Sequence, residues 1–365
     1  MLVGMTAPAP DSPLPPAPVV LLTCGDPAGI GPEIVAAAWP AAPHDRARLR
    51  VVADARTLGA ILARRGIAAP PLVAISPDDP RPSTAGEVLV IEPAGSRGEQ
   101  ERIPDATISA AGGRAAATAV EAAAAAARAG RAAAIVTGPL HKEALHAAGY
   151  DVPGHTELLA RACGLPDTAA SMMLWLPARA GAAGGLGVVH ATLHESLRTA
   201  LERLSTDRIA AAGHRLHHGL AALLGRRPRI AVAALNPHGG EGGLFGDDEP
   251  RLVTPAVTRL VAAGVAATGP LPADTLFVRA TAGEFDGVVA LYHDQGHIPI
   301  KLLGMHRAVN ITLGLPLVRT SVAHGTAFDI VGQGKADATG MLAAIDAAIR
   351  LVAAPGFRAA SASSS

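Results

Sequence analysis

Two cysteines in 365 residues, Cys24 and Cys163, are too few and too far apart for a disulfide framework or a thiolate zinc centre, and they fit a reducing compartment. Net charge is also missing. The 31 Lys and Arg balance 31 Asp and Glu, so no overall field draws the chain to nucleic acid or to an anionic membrane, and an anionic ligand has to be gripped locally. The opening residues are rich in Pro and Ala but lack the Lys/Arg start and continuous apolar run of a secretory signal. We therefore expect a disordered extension over residues 1–18, with Met5 as an alternative start, in a cytoplasmic protein. No G-x-G-x-x-G follows an apolar strand run and no Walker A sequence is present, which excludes an ordinary Rossmann dehydrogenase.

About half of the chain is apolar, enough to bury a sizeable core as one large domain or two lobes. The Ala-rich run from Ala115 to Ala134 is broken by Glu121, Arg128 and Arg131, so a buried or half-buried helix is expected there and not a membrane span. The small, polar tail over 356–365 is expected to be disordered. Between these ends, nine short β-branched or apolar runs predict strands: Val19–Thr23, Arg50–Ala53, Val88–Ile91, Ala133–Thr137, Met172–Leu176, Gly187–His190, Ile230–Leu235, Val288–Tyr292 and Val309–Thr312. Helical stretches separate them, which predicts an α/β fold. A single two-lobed unit over 19–355 is expected, with a cleft between a middle lobe at about 140–270 and a second lobe formed by the two ends.

Several strands run directly into polar or glycine-containing loops, where open α/β sheets place ligands. The loop Gly25-Asp-Pro-Ala-Gly-Ile-Gly-Pro-Glu33 offers tight turns and a proline suited to a first helical turn. It reads equally well as an anion cradle built from backbone N–H groups and as a turn built for geometry alone.

Of 14 histidines, three stand at or just past strand ends beside glycine or polar residues: His194, His238 and His293. Three imidazoles leave open positions on a divalent metal, the arrangement of a catalytic site. His190 competes with His194 for the same role, whereas His214, His217 and His218 fall in a helical run. A metal bound there would lower the pKa of a substrate hydroxyl and polarise the carbonyl formed from it.

Taken together, these motifs resemble the 4-hydroxythreonine-4-phosphate dehydrogenase family from about Val19 to Val352. The resemblance rests on residues 25–33, Thr-Gly-Pro-Leu-His-Lys (137–142), Gly-His-Thr-Glu (154–157), Asn-Pro-His-Gly-Gly-Glu-Gly-Gly (236–243), Gly-Pro-Leu-Pro-Ala-Asp-Thr (269–275), Tyr-His-Asp-Gln-Gly (292–296), Val-Asn-Ile-Thr-Leu-Gly-Leu-Pro (309–316) and Arg-Thr-Ser (319–321). It implies a homodimer with its active site at the interface, and a divalent metal (zinc, magnesium or cobalt) on His194, His238 and His293 drawn from both chains. It also implies substrate binding by His155, Thr156, Lys301, Asn310 and Arg319. Lysine and arginine would supply charge-assisted bonds to phosphate and carboxylate, and asparagine and threonine directional neutral ones.

A second resemblance joins residues 324–337 to the adenosine-binding loop of isopropylmalate dehydrogenase. It implies an isocitrate/isopropylmalate-dehydrogenase-like fold, with Gly325, Asp329 and Asp337 at the cofactor. A carboxylate at Asp329 would favour NAD over NADP.

The implied reaction is NAD(P)-dependent oxidation of 4-phosphooxy-L-threonine, followed by decarboxylation to 3-amino-2-oxopropyl phosphate in vitamin B6 synthesis. Flanking residues 194–198 and 296–301 also resemble relatives that oxidise 4-phospho-threonate or erythronate, or the cis-dihydrodiol of terephthalate. Intact Gly-His-Thr and Leu-Gly-Leu-Pro-x-x-Arg-Thr segments favour a phosphorylated substrate. Lys301 is the leading candidate for general base, with Asp294 and a metal-bound water as alternatives. Readings of other classes are a metal hydrolase or acyl transferase on the same scaffold, and a non-catalytic binding protein.

Overall fold

The structure, a computed structural model, describes residues 18–95, 102–166, 169–178, 184–355 and 357. The extension and tail expected to be disordered therefore lie almost wholly outside the described residues. Among the described residues no helix is long and apolar enough to cross a membrane, and residues 115–128 of the Ala-rich run lie in a helix over Ala110–Arg128, while Ala134 begins a strand.

Among the described residues twelve strands build one sheet: β1 Val20–Thr23, β2 Leu49–Val52, β3 Leu72–Ile75, β4 Val88–Ile91, β5 Ala134–Thr137, β6 Ser171–Pro177, β7 Gly185–His190, β8 Arg229–Ala233, β9 Ala266–Leu271, β10 Gly287–Ala290, β11 Val309–Leu313 and β12 Val318–Val322. Their order across the sheet is β3-β4-β2-β1-β5-β12-β11-β6-β7-β10-β8-β9. The first six run parallel to one another, as do the last four; β11 and β6 join the two blocks through antiparallel pairings. The expected α/β class is thus observed, and all nine predicted strands are present. Buried on both faces, the central parallel strands read as unbroken apolar runs such as Ala134-Ile-Val-Thr and Gly287-Val-Val-Ala.

Among the described residues eleven α-helices flank the sheet: α1 Gly31–Ala41, α2 Ala55–Arg64, α3 Ala110–Arg128, α4 Lys142–Ala147, α5 His155–Ala162, α6 Leu197–Arg203, α7 Thr206–Leu224, α8 Thr254–Ala262, α9 Ala273–Thr281, α10 His293–Gly304 and α11 Thr339–Ala353. Local chemistry starts several of them. Asp54, Ser109, Ser196 and Ser205 each accept a backbone N–H from the first turn of α2, α3, α6 and α7, and Gly225 closes α7 in the left-handed conformation.

The sheet's two faces differ. On one, a single apolar core runs from Val20 and Val51 through Ile311 to Val232 and Val289, under α1, α7, α8 and α11. On the other, two separate cores form, one of Leu21, Ile135, Val120 and Leu159 under α3 and α5, the other of Leu174, Val188, Val288 and Leu276 under α9 and α10. Between those two cores the strands carry polar side chains.

Candidate functional site

Alternation along the strands fixes the polar gap. On β12, Val318 and Val322 join the continuous core, which turns Arg319 and Ser321 to the divided face; on β11, Val309, Ile311 and Leu313 do the same for Asn310 and Thr312. Thr137 follows Ile135 by two residues on β5 and shares its face. Arg319 is only 1% exposed. Its guanidinium meets two hydroxyls, donating from Nε and Nη2 to Thr137 Oγ1 (3.2 and 2.6 Å) and from Nη1 to Thr312 Oγ1 (3.0 Å). Among the described residues no carboxylate forms an ion pair with it. Burial pushes its pKa down to about 9, and the more distant Glu157 only partly opposes this.

Expected substrate residues gather around this charge. His155 opens α5, its Nε2 is buried without a partner, and burial followed by the charge of Arg319 holds its pKa well below the ordinary value. Asn310 Oδ1 is buried and unpaired as well. Thr156 follows on the first turn of α5. Buried polar atoms with no internal acceptor or donor are costly, and these two offer unmet hydrogen-bonding capacity on the side of the sheet that holds Arg319. Lys301, by contrast, lies exposed in the last turn of α10, where its charge acts on His297.

The three histidines proposed as metal ligands follow the carboxyl ends of β7, β10 and β8, which are neighbours in that order. His194 and His293 approach each other with ring centroids 5.8 Å apart. His293 Nδ1 lies 2.7 Å from Asp294 Oδ1, the kind of outer contact that orients a ligating imidazole and frees its other nitrogen. His238 stands apart; the ring beside it is Phe245, at 6.4 Å. Among the described residues no three His, Cys, Asp or Glu side chains of one chain converge to hold a metal.

Behind His293 lies a histidine stack that the sequence did not single out. His297 packs on His293 at 3.8 Å between ring centroids, and His297 Nδ1 is 3.1 Å from His190 Nε2. Burial, then the neighbouring imidazoles, push His190 well below its ordinary pKa; burial, then His293 and Lys301, push His297 down to about 4. His190, the competitor for the metal role, lies buried against His297. Lys142, at the start of α4, lies close enough to His194 to lower its pKa, an effect second to burial.

His194 and His238 both adopt φ of 52°, a left-handed conformation unfavourable for a side chain with a Cβ and concentrated at functional sites. For His238 it belongs to a run, since His238, Gly239, Gly240, Glu241, Gly242 and Gly243 all have positive φ. Only a sequence this rich in glycine can follow that path. The buried carboxylate of Glu249 braces its start, accepting from Leu235 N (2.9 Å), Asn236 N (2.7 Å) and Asn236 Nδ2 (3.1 Å).

In the loop over 25–33, four amides are engaged internally. Its amides at Asp26, Ala28, Gly29 and Ile30 donate to Pro139 O, Asp26 Oδ1, Asp26 O and Thr326 O, which leaves no cradle for an anion at those positions. A Cβ on Gly31 would collide with the Cys24 carbonyl. Glu33, paired with the buried Arg65, accepts from Gly332 N, and this moors the 324–337 loop. In that loop Gly325 and Asp329 are exposed, Phe328 stacks on His141 at 5.3 Å, and Asp337 Oδ1 is engaged by Thr339 N and Oγ1 at the start of α11.

The family model described as pyridoxal phosphate biosynthetic protein PdxA matches residues 46–348. A 4-hydroxythreonine-4-phosphate dehydrogenase of Beijerinckia indica is 44% identical over 336 residues, covering 90% of this chain and 94% of the relative. A D-threonate 4-phosphate dehydrogenase of Salmonella typhimurium is 43% identical over 333 residues, covering 91% and 98%. The crystal structure of 4-hydroxythreonine-4-phosphate dehydrogenase from Klebsiella pneumoniae superposes with a TM-score of 0.77 at 42% identity, covering 92% of this chain and 99% of that one. The chain belongs to the pyridoxal phosphate biosynthetic protein PdxA family, a family of oxidoreductases acting on CH–OH groups.

Proposed function

We propose that this chain oxidises the secondary hydroxyl of a small phosphorylated hydroxy acid with NAD(P) and a divalent metal, and that its substrate is 4-phosphooxy-L-threonine. The observation that carries the reading is the buried, carboxylate-free guanidinium of Arg319 beside the unpaired His155 Nε2 and Asn310 Oδ1. That set is built for an anion, and the family fixes the reaction type. Arg319 takes an anionic end of the substrate, with His155, Thr156 and Asn310 completing its contacts. Lys301 would take the hydroxyl proton, with Asp294 as the alternative acceptor, and a bound nicotinamide would supply the hydride acceptor. The 3-oxo acid then loses CO2 from the carboxyl carbon, and the carbon left behind takes up a proton. A metal held by His194, His238 and His293 would supply Lewis acidity.

A homodimer supports the histidine geometry. His194 is followed by exposed Leu197 and Leu201 on α6, His238 by exposed Leu244 and Phe245, and His293 by exposed Ile298 and by Leu302, the latter 83% exposed. Apolar surface beside all three histidine-bearing elements is what an interface requires. In this reading His194 and His293 come from one chain and His238 from the other, and imidazole ligands suit zinc or cobalt over magnesium. Asp329 and Gly325, with Asp337 behind them, form the cofactor loop, and the Asp329 carboxylate favours NAD. We also read the sheet's two parallel blocks as the cores of the two lobes, which shifts the middle lobe from about 140–270 to residues 171–313. 4-Phospho-D-threonate is the second reading, favoured by a relative of nearly equal identity with that activity in its name.

NADH formation is to be followed with both substrates, with NAD and with NADP, each with and without chelator. Chelator-sensitive turnover supports the metal dehydrogenase, and the preferred substrate decides between the two acids. A metal-loaded dimer that turns over neither removes the proposal.

A further inference from the structure

We propose that Thr137 and Thr312 are positioning residues that aim the guanidinium of Arg319 while leaving its charge for a bidentate acceptor on the substrate, a phosphate or a carboxylate. The inference rests on the reading of Arg319 as a substrate-binding residue.

The register of three adjacent strands creates the arrangement. β12 lies between β5 and β11, with Arg319 directly opposite Thr312 on β11 and Ser321 opposite Thr137 on β5. Both threonines therefore flank Arg319 on the same face. A guanidinium has five N–H donors: one on Nε and two on each terminal nitrogen. Thr137 receives one from Nε and one from Nη2, and Thr312 receives one from Nη1. Two N–H remain, one on Nη1 and one on Nη2, the pair that can meet two oxygens of a phosphate or carboxylate.

The choice of hydroxyls is chemically specific. A carboxylate at either position would hold the fork equally well but would neutralise it, leaving the ligand little to gain. Two neutral acceptors fix the plane of the group and leave its charge uncompensated in a buried setting, where an incoming anion gains most. Valine at either position keeps the shape and removes the acceptor.

The test compares KM and kcat of the metal-loaded enzyme for its preferred substrate in Thr137→Val, Thr137→Ser, Thr312→Val and Arg319→Met. Hydrogen bonds to charged groups contribute enough that losing both Thr137 bonds should raise KM by about tenfold or more, with kcat within about threefold. Thr312→Val should raise KM by less, and Thr137→Ser should restore it, which a purely structural role would not require. If Arg319→Met raises KM but neither valine variant does, the positioning role is refuted while the reading of Arg319 stands. If Arg319→Met leaves KM unchanged, that reading fails and the inference with it. Inhibition by inorganic phosphate and by unphosphorylated threonate separates the two acceptors. Loss of phosphate inhibition in Thr137→Val assigns the fork to the phosphate, loss of threonate inhibition alone assigns it to the carboxylate, and loss of neither overturns the proposal. Should Thr137→Val not fold, Thr312→Val carries the same criteria.

Discussion

Replacing Glu249 tests how the His238 loop is held. The side chain is 2% exposed and accepts two backbone N–H groups and one side-chain N–H. Burial alone would raise its pKa, but the bonds from Asn236 and the Leu235 amide outweigh burial and hold it below the usual glutamate value. Glu249→Ala leaves the amides of Leu235 and Asn236 without an acceptor at about 1–3 kcal/mol each, and removes a side-chain bond besides. The expected loss is about 3–5 kcal/mol. With an unfolding entropy near 2.1 cal/mol/K per residue, a chain of 365 residues changes Tm by roughly 1.3 °C per kcal/mol, so Tm should fall by about 4–6 °C. Glu249→Gln keeps one oxygen for the two amides but sets its NH2 against Asn236 Nδ2, and should lower Tm by about 1–3 °C. Because the wild-type carboxyl is depressed, its contribution is present above the ordinary glutamate pKa and shrinks as pH falls below about 4.5, so the gap to Glu249→Gln should narrow in acid. Scanning calorimetry of metal-free protein reads all of this. A Glu249→Ala variant within about 1 °C of wild type would show that the loop does not depend on this carboxylate.

Three further outcomes are expected. In metal-free protein, His155, His190, His194, His214, His217 and His297 all have folded-state pKa values below the unfolded value near 6.5, so the unfolded chain takes up protons first; stability should be full above about pH 6.5 and decline below it. With its pKa at about 4, His297 alone contributes a loss of about 2 kcal/mol at pH 5, and a Tm that stays flat from pH 7 to 5 would contradict the burial of these rings. His238→Ala should abolish both bound metal, read by elemental analysis, and turnover, while Tm of the metal-free protein changes by less than about 2 °C; a metal-replete, active variant removes His238 from the site. Lys301→Ala should lower kcat by about 100-fold or more with KM changed less, and near-normal kcat would transfer the proton-accepting role to Asp294.

Much of the architecture was legible because parallel strands buried on both faces carry short, β-branched apolar runs such as Val88-Leu-Val-Ile. The strands that escaped notice are explained by their surroundings. β3 and β9 lie at the two edges of the sheet and are half-buried, and β9 carries Pro270, a residue an edge tolerates better than the middle of a central strand. β12 is central, yet its face toward the polar gap places Arg319 and Ser321 between apolar residues, so it reads as a polar motif. Single site residues were legible as motif members, whereas their partnerships were not. Thr137 and Arg319 are 182 positions apart, and only the strand order brings them together. The bracing by Glu249 left no sequence signal either, since a buried glutamate looks like any surface one until the N–H groups that donate to it are counted.

The strand order also dictates a sequence of events during synthesis. Block β7-β10-β8-β9, with β6 and β11, is contiguous in the chain, whereas the block that begins with β1 gains its last strand β12 and the covering helix α11 only from the final 50 or so residues. Until these emerge, β5 presents an unpaired edge and the apolar row Val20, Leu22, Ala134 and Val136 lacks its cover, a state prone to association with other chains. We expect nascent chains arrested before residue 318 to be protected from protease over 171–313 and cleaved within 20–137. Equal protection of both regions at that length would show that the first block closes without its C-terminal strand.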